Sequence, residues 1–516
     1  MMSLPLPAIL AIGCSTPMPP GDPERPDIVV VSIDTLRADH LGAWGYERDT
    51  SPHLDALAAS GTRFASAWSP APWTLPSHAT MLSGLHPVHH GGIEGELRLS
   101  DDIPWLPEAL GGAGYATAGI VTTLFVSDTF GFERGFDHFH DFGIDDEKRN
   151  RTANIDVDEV VDHARRWMTQ RHGEPVFLFL HLYDVHYEYD PPRPFSKKFD
   201  RAPRRSDETY KNYAHYTRKP LDDEQMAHQV AQYDEAIAFV DATLHDLRQA
   251  WASAGREALW VVVSDHGEEF GERGSWGHAH TLWPEQLHVP WIVAGPGVAS
   301  QVVESRVGLE DLAPTLAGLA GVDFPPTDGI DRSPRVRGQP MPDATVAARF
   351  AETSRFRTLR YRWHDPPYDL YVDLAARTSA LCNLQEDPKC TSDLARDQPQ
   401  RVADLTSQMW RWLGEPWQLD KAGVLQSSGV FVVDGEVRSK RLPAEAGSSF
   451  GLHPADAALT WQDAGGRQTG PWQAVGGERP GDGAPVRYRG QASGTEDAGL
   501  TDAQRAALEA LGYMQP

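Results

Sequence analysis

Short runs made almost entirely of apolar residues recur along the chain, and they limit its possible folds more than any other feature. The runs are IVVVSI from Ile28, GYATAGIVT from Gly114, VFLFLHL from Val176, LWVVVS from Leu259 and HVPWIVA from His288. A strand that is apolar at nearly every position is buried on both faces, which is typical of parallel sheets covered by helices. The runs therefore predict a buried, mostly parallel central sheet.

Helical patterns alternate with these runs. The stretch SPHLDALAASG, from Ser51, has a serine at the N-cap position, a proline in the first turn and a glycine at the end. A longer helix is predicted from Asp222, where Gln225 completes a capping box and apolar residues recur at spacings of three and four as far as Trp251. Strands that alternate with helices indicate an α/β fold with helices flanking both faces of the sheet.

The last third of the chain has weaker patterns. SRFRTLRYRWHDPPYDLYVDL predicts an antiparallel hairpin and DQPQRVADLTSQMWRWLGEP predicts a helix, so a smaller C-terminal α+β part is expected. Residues 425–495 are rich in glycine, alanine and polar residues, and they form either a small β module or an irregular insertion. The predicted segments are a leader and tether (1–26), a main α/β domain (27–345), a C-terminal subdomain (346–424), the insertion (425–495) and a closing helix (496–516).

The N-terminus resembles a bacterial lipoprotein signal. The apolar run LPAILAIG precedes Cys14, which would carry the lipid after cleavage, and the proline-rich stretch that follows would be a tether. This interpretation predicts export to the periplasm or cell surface with a lipid anchor; the alternative is an N-terminus without that role. In an exported protein Cys382 and Cys390 can form a disulfide, whereas otherwise they are two thiols.

The formal net charge of −26 argues against nucleic acid or an anionic membrane surface as a general partner, and an anionic substrate would need a local positive site. Residues 193–219 are basic although the chain as a whole is acidic, with nine Lys and Arg and three Asp and Glu. This basic segment is either a solvated loop or a flap that attracts an anionic substrate. No apolar run after the leader reaches the ~18–20 residues that a membrane-spanning helix needs.

Residues of metal-ligand type follow three of the apolar runs. Asp34 comes after the first, His186 after VFLFLHLYD, and Asp265 and His266 after LWVVVS. Sites in open α/β sheets form at the carboxyl ends of the strands, so we expect these side chains to meet. Carboxylates bind hard divalent cations, and an imidazole shifts the preference toward Mn²⁺ or Zn²⁺.

Thr74 precedes Leu75 and Pro76 at the predicted start of a short helix that ends at Gly84. One interpretation is that Thr74 only caps this helix. The other is that it is a nucleophile, because a helix N-terminus binds anions and a bound cation favours an ionised hydroxyl.

Blocks of sequence that occur in a fixed order resemble the sulfatases, members of the alkaline phosphatase superfamily. They are VSIDTLRADHLGAWGY, SPHLDALAASGTRF, APWTLPSHATMLSGLHPVHHG, FLHLYDVHYEYDPP, SDHGEEFGERGSWGHAHTLWPEQLHVPWIVAGPG, and LYVDL with NLQEDP. The resemblance covers residues 27–415. It implies the fold of that superfamily and one bound divalent metal ion, which is Ca²⁺ in the family.

The resemblance also implies roles for individual residues. Asp34, Asp265 and His266 match metal ligands of the family, and Thr74 matches the nucleophile, which also contacts the metal. The histidines match positions around the substrate. His186 falls on the histidine that assists the leaving group, His278 (or His280, a residue or two away) on a lysine near the substrate oxygens, and His78 on an arginine.

The chain departs from the sulfatase pattern at the nucleophile. Sulfatases carry Cys or Ser there and convert it to formylglycine, and Thr74 cannot undergo that conversion. A lysine and a histidine expected after GYATAG are absent, and Thr35 stands where many members have a second aspartate. Threonine nucleophiles do occur in the superfamily, in nucleotide pyrophosphatase/phosphodiesterases and phosphoethanolamine transferases, which act on phosphorus esters.

These observations predict a metal-dependent hydrolase of an anionic ester, with Thr74 as nucleophile. The ester is a sulfate, phosphate or phosphonate of a small molecule, or a sulfated or phosphorylated glycan or lipid. One alternative is a catalytically inactive relative that binds anions or glycans. Another is a transferase of phosphoethanolamine type, which is disfavoured because such enzymes usually carry membrane spans.

Overall fold

The computed structural model describes residues 25–92, 98–142, 157–171, 173–202, 221–342, 350–353, 355, 360–373, 376 and 378–413, together with the backbone of short strands between 417 and 469. Residues 1–24 of the predicted leader and tether, the closing helix and residues 203–219 of the basic segment lie outside the described residues.

The strands follow the predicted apolar runs closely in the first three hundred residues. In chain order they are β1 (Asp27–Ile33), β2 (Thr62–Trp68), β3 (Ala116–Val121), β4 (His138–Asp141), β5 (Val176–Leu182), β6 (Ala258–Val263), β7 (Glu269–Phe270), β8 (Trp276–Gly277), β9 (His288–Ala294), β10 (Gln301–Val303), β11 (Val307–Gly308), β12 (Phe350–Thr353), β13 (Arg360–Asp365), β14 (Tyr368–Asp373) and β15 (Thr378–Asn383).

The helices between them are α1 (Pro52–Ser60), α2 (Thr74–Ser83), α3 (Pro87–His90), α4 (Leu106–Gly112), α5 (Val157–Thr169), α6 (Asp223–Ser253), α7 (Pro284–Leu287), α8 (Leu312–Ala320), α9 (Ser333–Val336) and α10 (Pro399–Leu413). The predicted capping box at the start of α6 is present, since Asp222 and Gln225 each accept a backbone N–H of the other.

The central sheet has the order β10-β2-β9-β6-β1-β5-β3-β4, and β11 also pairs with β2. The described pairs are parallel except those that β9 makes with β2 and β6. The predicted α/β fold with a mostly parallel sheet is therefore confirmed, and β9 is a single reversed strand within it.

Side chains of β1 alternate between two apolar cores, one on each face of the sheet. Ile28 and Val30 pack in a cluster that includes residues of α2, α4 and α8. Val29 and Val31 pack on the other face, in a cluster that includes residues of α1, α5 and α6. Burial on both faces explains why this strand is apolar at successive positions.

A second, antiparallel sheet has the order β12-β13-β14-β15, and α10 packs on it. The predicted hairpin corresponds to β13 and β14, and the predicted helix to α10. Cys382 of β15 is joined to Cys390 by a disulfide.

Short strands also occur between residues 417 and 469, a range that begins before the predicted insertion. β16 (Trp417–Gln418), β17 (Gly423–Ser427), β18 (Val430–Val433), β19 (Glu436–Arg438), β20 (Arg441–Ala444), β21 (Ser449–His453), β22 (Leu459–Asp463) and β23 (Gly466–Thr469) form two four-stranded antiparallel sheets. In the part of the chain that the structure describes, no helix is long and apolar enough to cross a membrane.

Candidate active site

Three side chains that can ligate a metal ion meet where β1 and β6 end. Asp34 follows β1, and Asp265 and His266 follow β6, which lies beside β1 in the sheet. One ligand atom from each residue lies within 4.8 Å of the others, and all three residues are fully buried. His266 Nε2 is 3.6 Å from Asp34 Oδ1 and 3.3 Å from Asp265 Oδ2. The structure therefore brings these three predicted ligands together.

The cluster has the properties of a cation site. Asp34 Oδ1, Asp265 Oδ2 and His266 Nε2 are buried and make no hydrogen bond within the described residues. His266 Nδ1 lies 3.0 Å from the Gly267 carbonyl and donates to it, so Nε2 keeps its lone pair. Burial raises the pKa of both carboxyls, and the charge of Asp34 raises that of Asp265 further. A divalent cation would satisfy these atoms, and ligands ~2.1 Å from one ion have spacings of about this size.

The turn after β1 is fixed by contacts with the turn after β6. The backbone N–H of Thr35 donates to Asp265 Oδ1 (3.2 Å), and that of Leu36 donates to Ser264 Oγ (2.9 Å). Thr35 has a φ of 58°, which is rare for a β-branched residue, and its hydroxyl is held by the Val185 carbonyl at 2.9 Å. Backbone strain of this kind concentrates at functional sites, where surrounding contacts maintain it.

Thr74 contacts the cluster directly. It is the first residue of α2, Trp73 is the N-cap, and no side chain caps this helix. The Thr74 hydroxyl is close enough to the Asp34 carboxylate to lower the pKa of Asp34, against the larger effect of burial. The helix ends at Gly84 in a left-handed conformation, as predicted. The hydroxyl therefore faces the acidic cluster. Because Thr74 is not the N-cap and no side chain caps α2, the interpretation that Thr74 only caps this helix is not supported.

His78 lies one turn further along α2, behind Thr74. Its Nδ1 donates to the Thr74 carbonyl (2.8 Å), and its Nε2 lies 2.9 Å from Ser32 Oγ. Burial lowers the pKa of His78 to about 3, so the ring is neutral near pH 7. Because both nitrogens contact protein groups, His78 does not carry the positive charge of the arginine whose position it occupies.

His181 also belongs to the site, although sequence reasoning missed it. This β5 residue is fully buried, with Nε2 3.2 Å from Asp34 Oδ2 and Nδ1 3.0 Å from Thr122 Oγ1. Burial lowers its pKa to about 4. The available signal was the histidine itself, because it interrupts the otherwise apolar run VFLFLHL.

His186 is buried beside Asp34, as predicted, and its ring stacks on Tyr183 at 4.1 Å between centroids. Its Nδ1 lies 2.7 Å from the Tyr187 carbonyl and therefore carries the proton, while Nε2 lies 3.2 Å from the Tyr183 hydroxyl. Burial lowers the pKa of His186 to about 3, against the opposing charge of Asp34. The side chain is thus a neutral hydrogen-bonding group.

His278 completes a row of imidazoles, with ring centroids 4.6 Å from His266 and 4.8 Å from His186. Its Nδ1 is 2.9 Å from Glu268, which also accepts a hydrogen bond from the Tyr189 hydroxyl (3.1 Å). Burial raises the pKa of Glu268 to about 8 and, together with the neighbouring histidines and Arg355, lowers that of His278 well below its usual range. Glu268 was missed from the sequence, although it is two residues after His266.

Two further residues near these strand ends, His280 and Asp184, have other contacts. His280 contacts the His278 carbonyl (2.7 Å) and Ser275 Oγ (3.0 Å), so the structure favours His278 as the residue in the site. Asp184 follows β5 as His186 does, and its Oδ1 accepts the backbone N–H of Val157 at the start of α5 (3.1 Å).

A mostly parallel sheet that carries carboxylates, imidazoles and a hydroxyl at its carboxyl edge defines an α/β protein with a polar site outside its strand ends. The chain belongs to the sulfatase family: a sequence model of that family matches residues 26–322, more than half of its length. The chain is therefore an ester hydrolase of the sulfatase type.

Curated relatives agree with this assignment. The chain is 23% identical over 412 residues to a Delta 4,5-hexuronate-2-O-sulfatase of Bacteroides thetaiotaomicron, which is 72% of this chain and 85% of that protein. It is 25% identical over 435 residues to a choline-sulfatase of Rhizobium meliloti, covering 72% and 84%. Among solved structures, a phosphonate monoester hydrolase of Agrobacterium radiobacter shares the fold, with a TM-score of 0.63, 18% identity and coverage of 75% and 95%.

Proposed function

We propose that the chain hydrolyses an anionic sulfate, phosphonate or phosphate ester with Thr74 as nucleophile and one divalent cation held by Asp34, Asp265 and His266. The position of the Thr74 hydroxyl beside Asp34 carries this proposal, because a nucleophile there would lie next to the residues proposed to hold the cation. Two carboxylates and one imidazole are compatible with Ca²⁺, Mn²⁺ or Zn²⁺.

In the first step, Thr74 Oγ bonds to the sulfur or phosphorus while the bond to the leaving oxygen breaks. The hydroxyl proton of Thr74 passes to the Asp34 carboxylate beside it. The backbone N–H groups at the start of α2 favour the anionic oxygens of the ester. A divalent cation, when bound, supplies positive charge that favours the ionised hydroxyl. Water then cleaves the ester on Thr74, which releases sulfate, phosphate or phosphonate and restores the hydroxyl.

The histidines position these groups. His78 holds the Thr74 carbonyl and so fixes the first turn of α2. His186 stays neutral near pH 7, because burial lowers its pKa to about 3. With its proton on Nδ1, its Nε2 accepts from the Tyr183 hydroxyl and so orients that side chain beside the cluster. His278, oriented by Glu268, lies on the same side of the site.

Both classes of ester have support. The curated relatives are sulfatases, and the 2-O-sulfatase among them favours a sulfated glycan as one candidate substrate. Threonine in place of a formylglycine precursor favours a phosphorus ester, and the phosphonate monoester hydrolase shares the fold.

The test compares the wild-type protein with Thr74→Ala. Metal content is measured by mass spectrometry, and kcat and KM are measured on an aryl sulfate, a phosphate monoester, a phosphodiester and a phosphonate monoester. We expect one ester to be hydrolysed, with kcat at least about 10³-fold lower in Thr74→Ala at unchanged metal content. Thr406→Ala, on the remote helix α10, is the matched control. Equal rates in Thr74→Ala and wild type, or no turnover in either, would contradict the proposal and favour the anion-binding alternative.

We also propose that the protein is exported and anchored through a lipid on Cys14. The disulfide between Cys382 and Cys390 supports export, since disulfides persist mainly in oxidising compartments. When the full chain is expressed in a bacterial host, we expect it in the membrane fraction and Cys14→Ala in the soluble or unprocessed fraction. Identical fractionation of both proteins would contradict the anchor.

A further inference from the structure

The antiparallel sheet reaches the active site through the end of β12. The backbone N–H of Glu352 donates to the Pro70 carbonyl (3.0 Å), in the loop that leads to Thr74. The hydroxyl of Thr353 donates to the carbonyl of Ala279 (2.8 Å), the residue after His278. The two loops are themselves joined, because Ala279 N–H donates to the Pro72 carbonyl over 2.8 Å. The end of β12 is therefore docked on both loops that carry site residues.

Arg355 lies two residues beyond β12 and points back over one of these loops. It is 8% exposed, and its guanidinium carbon is 4.5 Å from the centre of the Trp73 ring. Trp73 immediately precedes Thr74 in the chain. The Arg355 charge also contributes to the lowered pKa of His278, after burial, His266 and His280. A cation that follows the second sheet thus lies against the loop that leads to the nucleophile.

The site needs such a cation, because an anionic ester must approach two buried carboxylates. The histidines nearest Thr74 have their ring nitrogens engaged by protein groups. Those of His78 face the Thr74 carbonyl and Ser32 Oγ. Those of His186 face the Tyr187 carbonyl and the Tyr183 hydroxyl. Arg37, another buried arginine near the site, forms ion pairs with Asp39 (2.8 Å) and Glu272 (2.6 Å). Its charge is thereby balanced within the protein.

We propose that Arg355 binds the anionic group of the substrate, with its guanidinium N–H groups donating to the nonbridging oxygens of the sulfate, phosphate or phosphonate. Trp73 serves as the platform, since an arginine stacked on an aromatic ring presents its N–H groups in a fixed plane. The role in turnover rests on the proposed function, but binding of the free anion does not.

The test measures binding of inorganic sulfate and inorganic phosphate to the metal-loaded full chain by calorimetry. Arg355→Met keeps apolar volume over Trp73 and removes the charge, while Arg355→Lys keeps the charge. We expect anion affinity to fall at least about 10-fold in Arg355→Met, because a hydrogen bond to a charged group contributes roughly 1.5–3 kcal/mol, and to recover partly in Arg355→Lys. With the hydrolysed ester, KM should rise more than kcat falls. Arg63→Met, whose guanidinium lies 5.0 Å from the Trp44 ring, is the matched control and should bind anions as the wild type does.

The outcomes separate this inference from the proposed function. If Arg355→Met has a native near-UV circular dichroism spectrum and binds both anions as tightly as the wild type, Arg355 has only a structural role and the inference is wrong. If no ester is hydrolysed but anion affinity is lost in Arg355→Met and not in Arg63→Met, the inference stands while the hydrolase proposal fails.

Discussion

Asp265 illustrates, at the scale of single residues, how the site couples stability to metal binding. Its Oδ1 accepts backbone N–H groups from Thr35 and His266, whereas Oδ2 makes no hydrogen bond within the described residues. Burial and the charge of Asp34 both raise its pKa, so without a cation the ionised carboxylate opposes folding.

Asp265→Asn is therefore expected to have two opposite effects. The metal-free variant should be more stable than the metal-free wild type, because one of two repelling carboxylates is removed. Its metal affinity should fall by about 100-fold or more, since even residues that only orient a ligand change affinity by 10–100-fold. Chelator competition gives the affinity, and thermal unfolding with and without chelator gives the stability.

Asp184→Asn is the control, because Asp184 contacts the start of α5 and should leave the metal affinity unchanged. If Asp265→Asn loses stability equally with and without metal, Asp265 is a structural residue and the assigned cation site is wrong.

At the scale of single elements, the long helix α6 provides a sharp test of its predicted capping box. Asp222 Oδ1 accepts the backbone N–H of Gln225 at 2.8 Å, and the Gln225 side chain accepts that of Asp222 at 3.0 Å. Asp222→Ala should lower the free energy of unfolding by about 1 kcal/mol, because the backbone N–H of Gln225 loses its partner. Asp223→Ala changes an acidic residue in the same turn that is not the cap, and it should cost only a few tenths of a kcal/mol. Urea unfolding measures both, and equal losses would show that charge near the helix terminus matters rather than the cap.

Elements were predictable from the sequence where burial imposes a local pattern, as in β1, β5 and α6. The reversed direction of β9 was not predictable, because an apolar run shows that a strand is buried but carries no information about its orientation.

The site was also predictable only where the pattern is local. Residues directly after strands, such as Asp34 and Asp265, could be predicted, since parallel strands bring their carboxyl ends together. Arg355 could not, because docking of β12 on the main domain brings it there, and that contact joins residues distant in sequence.

At the scale of the whole molecule, buried neutral histidines predict acid sensitivity. His90 is one that lies outside the acidic cluster: its Nδ1 accepts the Gly92 N–H (3.0 Å), and its Nε2 faces the Pro76 carbonyl (3.2 Å) and the Thr80 hydroxyl (3.1 Å). It therefore links the chain after α3 to the helix that carries Thr74. Burial lowers the pKa of His90 to about 3, and protonation at Nδ1 would break the bond from Gly92.

Because the folded pKa of His90 is lower than the unfolded value of about 6.5, the unfolded chain takes up a proton first as the pH falls. The stability that this histidine contributes is fully present above pH 6.5 and is lost progressively as the pH falls toward 3. Between pH 7.5 and pH 5 the loss of stability from His90 alone should be about 2 kcal/mol, at 1.36 kcal/mol per pH unit.

His90→Gln has no titrating group at this position, so its free energy of unfolding should fall by about 2 kcal/mol less than that of the wild type over this interval. Urea unfolding at both pH values measures the difference, with His245→Gln, a partly exposed position on α6, as control. If His90→Gln shows the same pH dependence as the wild type, His90 is protonated in the folded state and the acid sensitivity arises elsewhere.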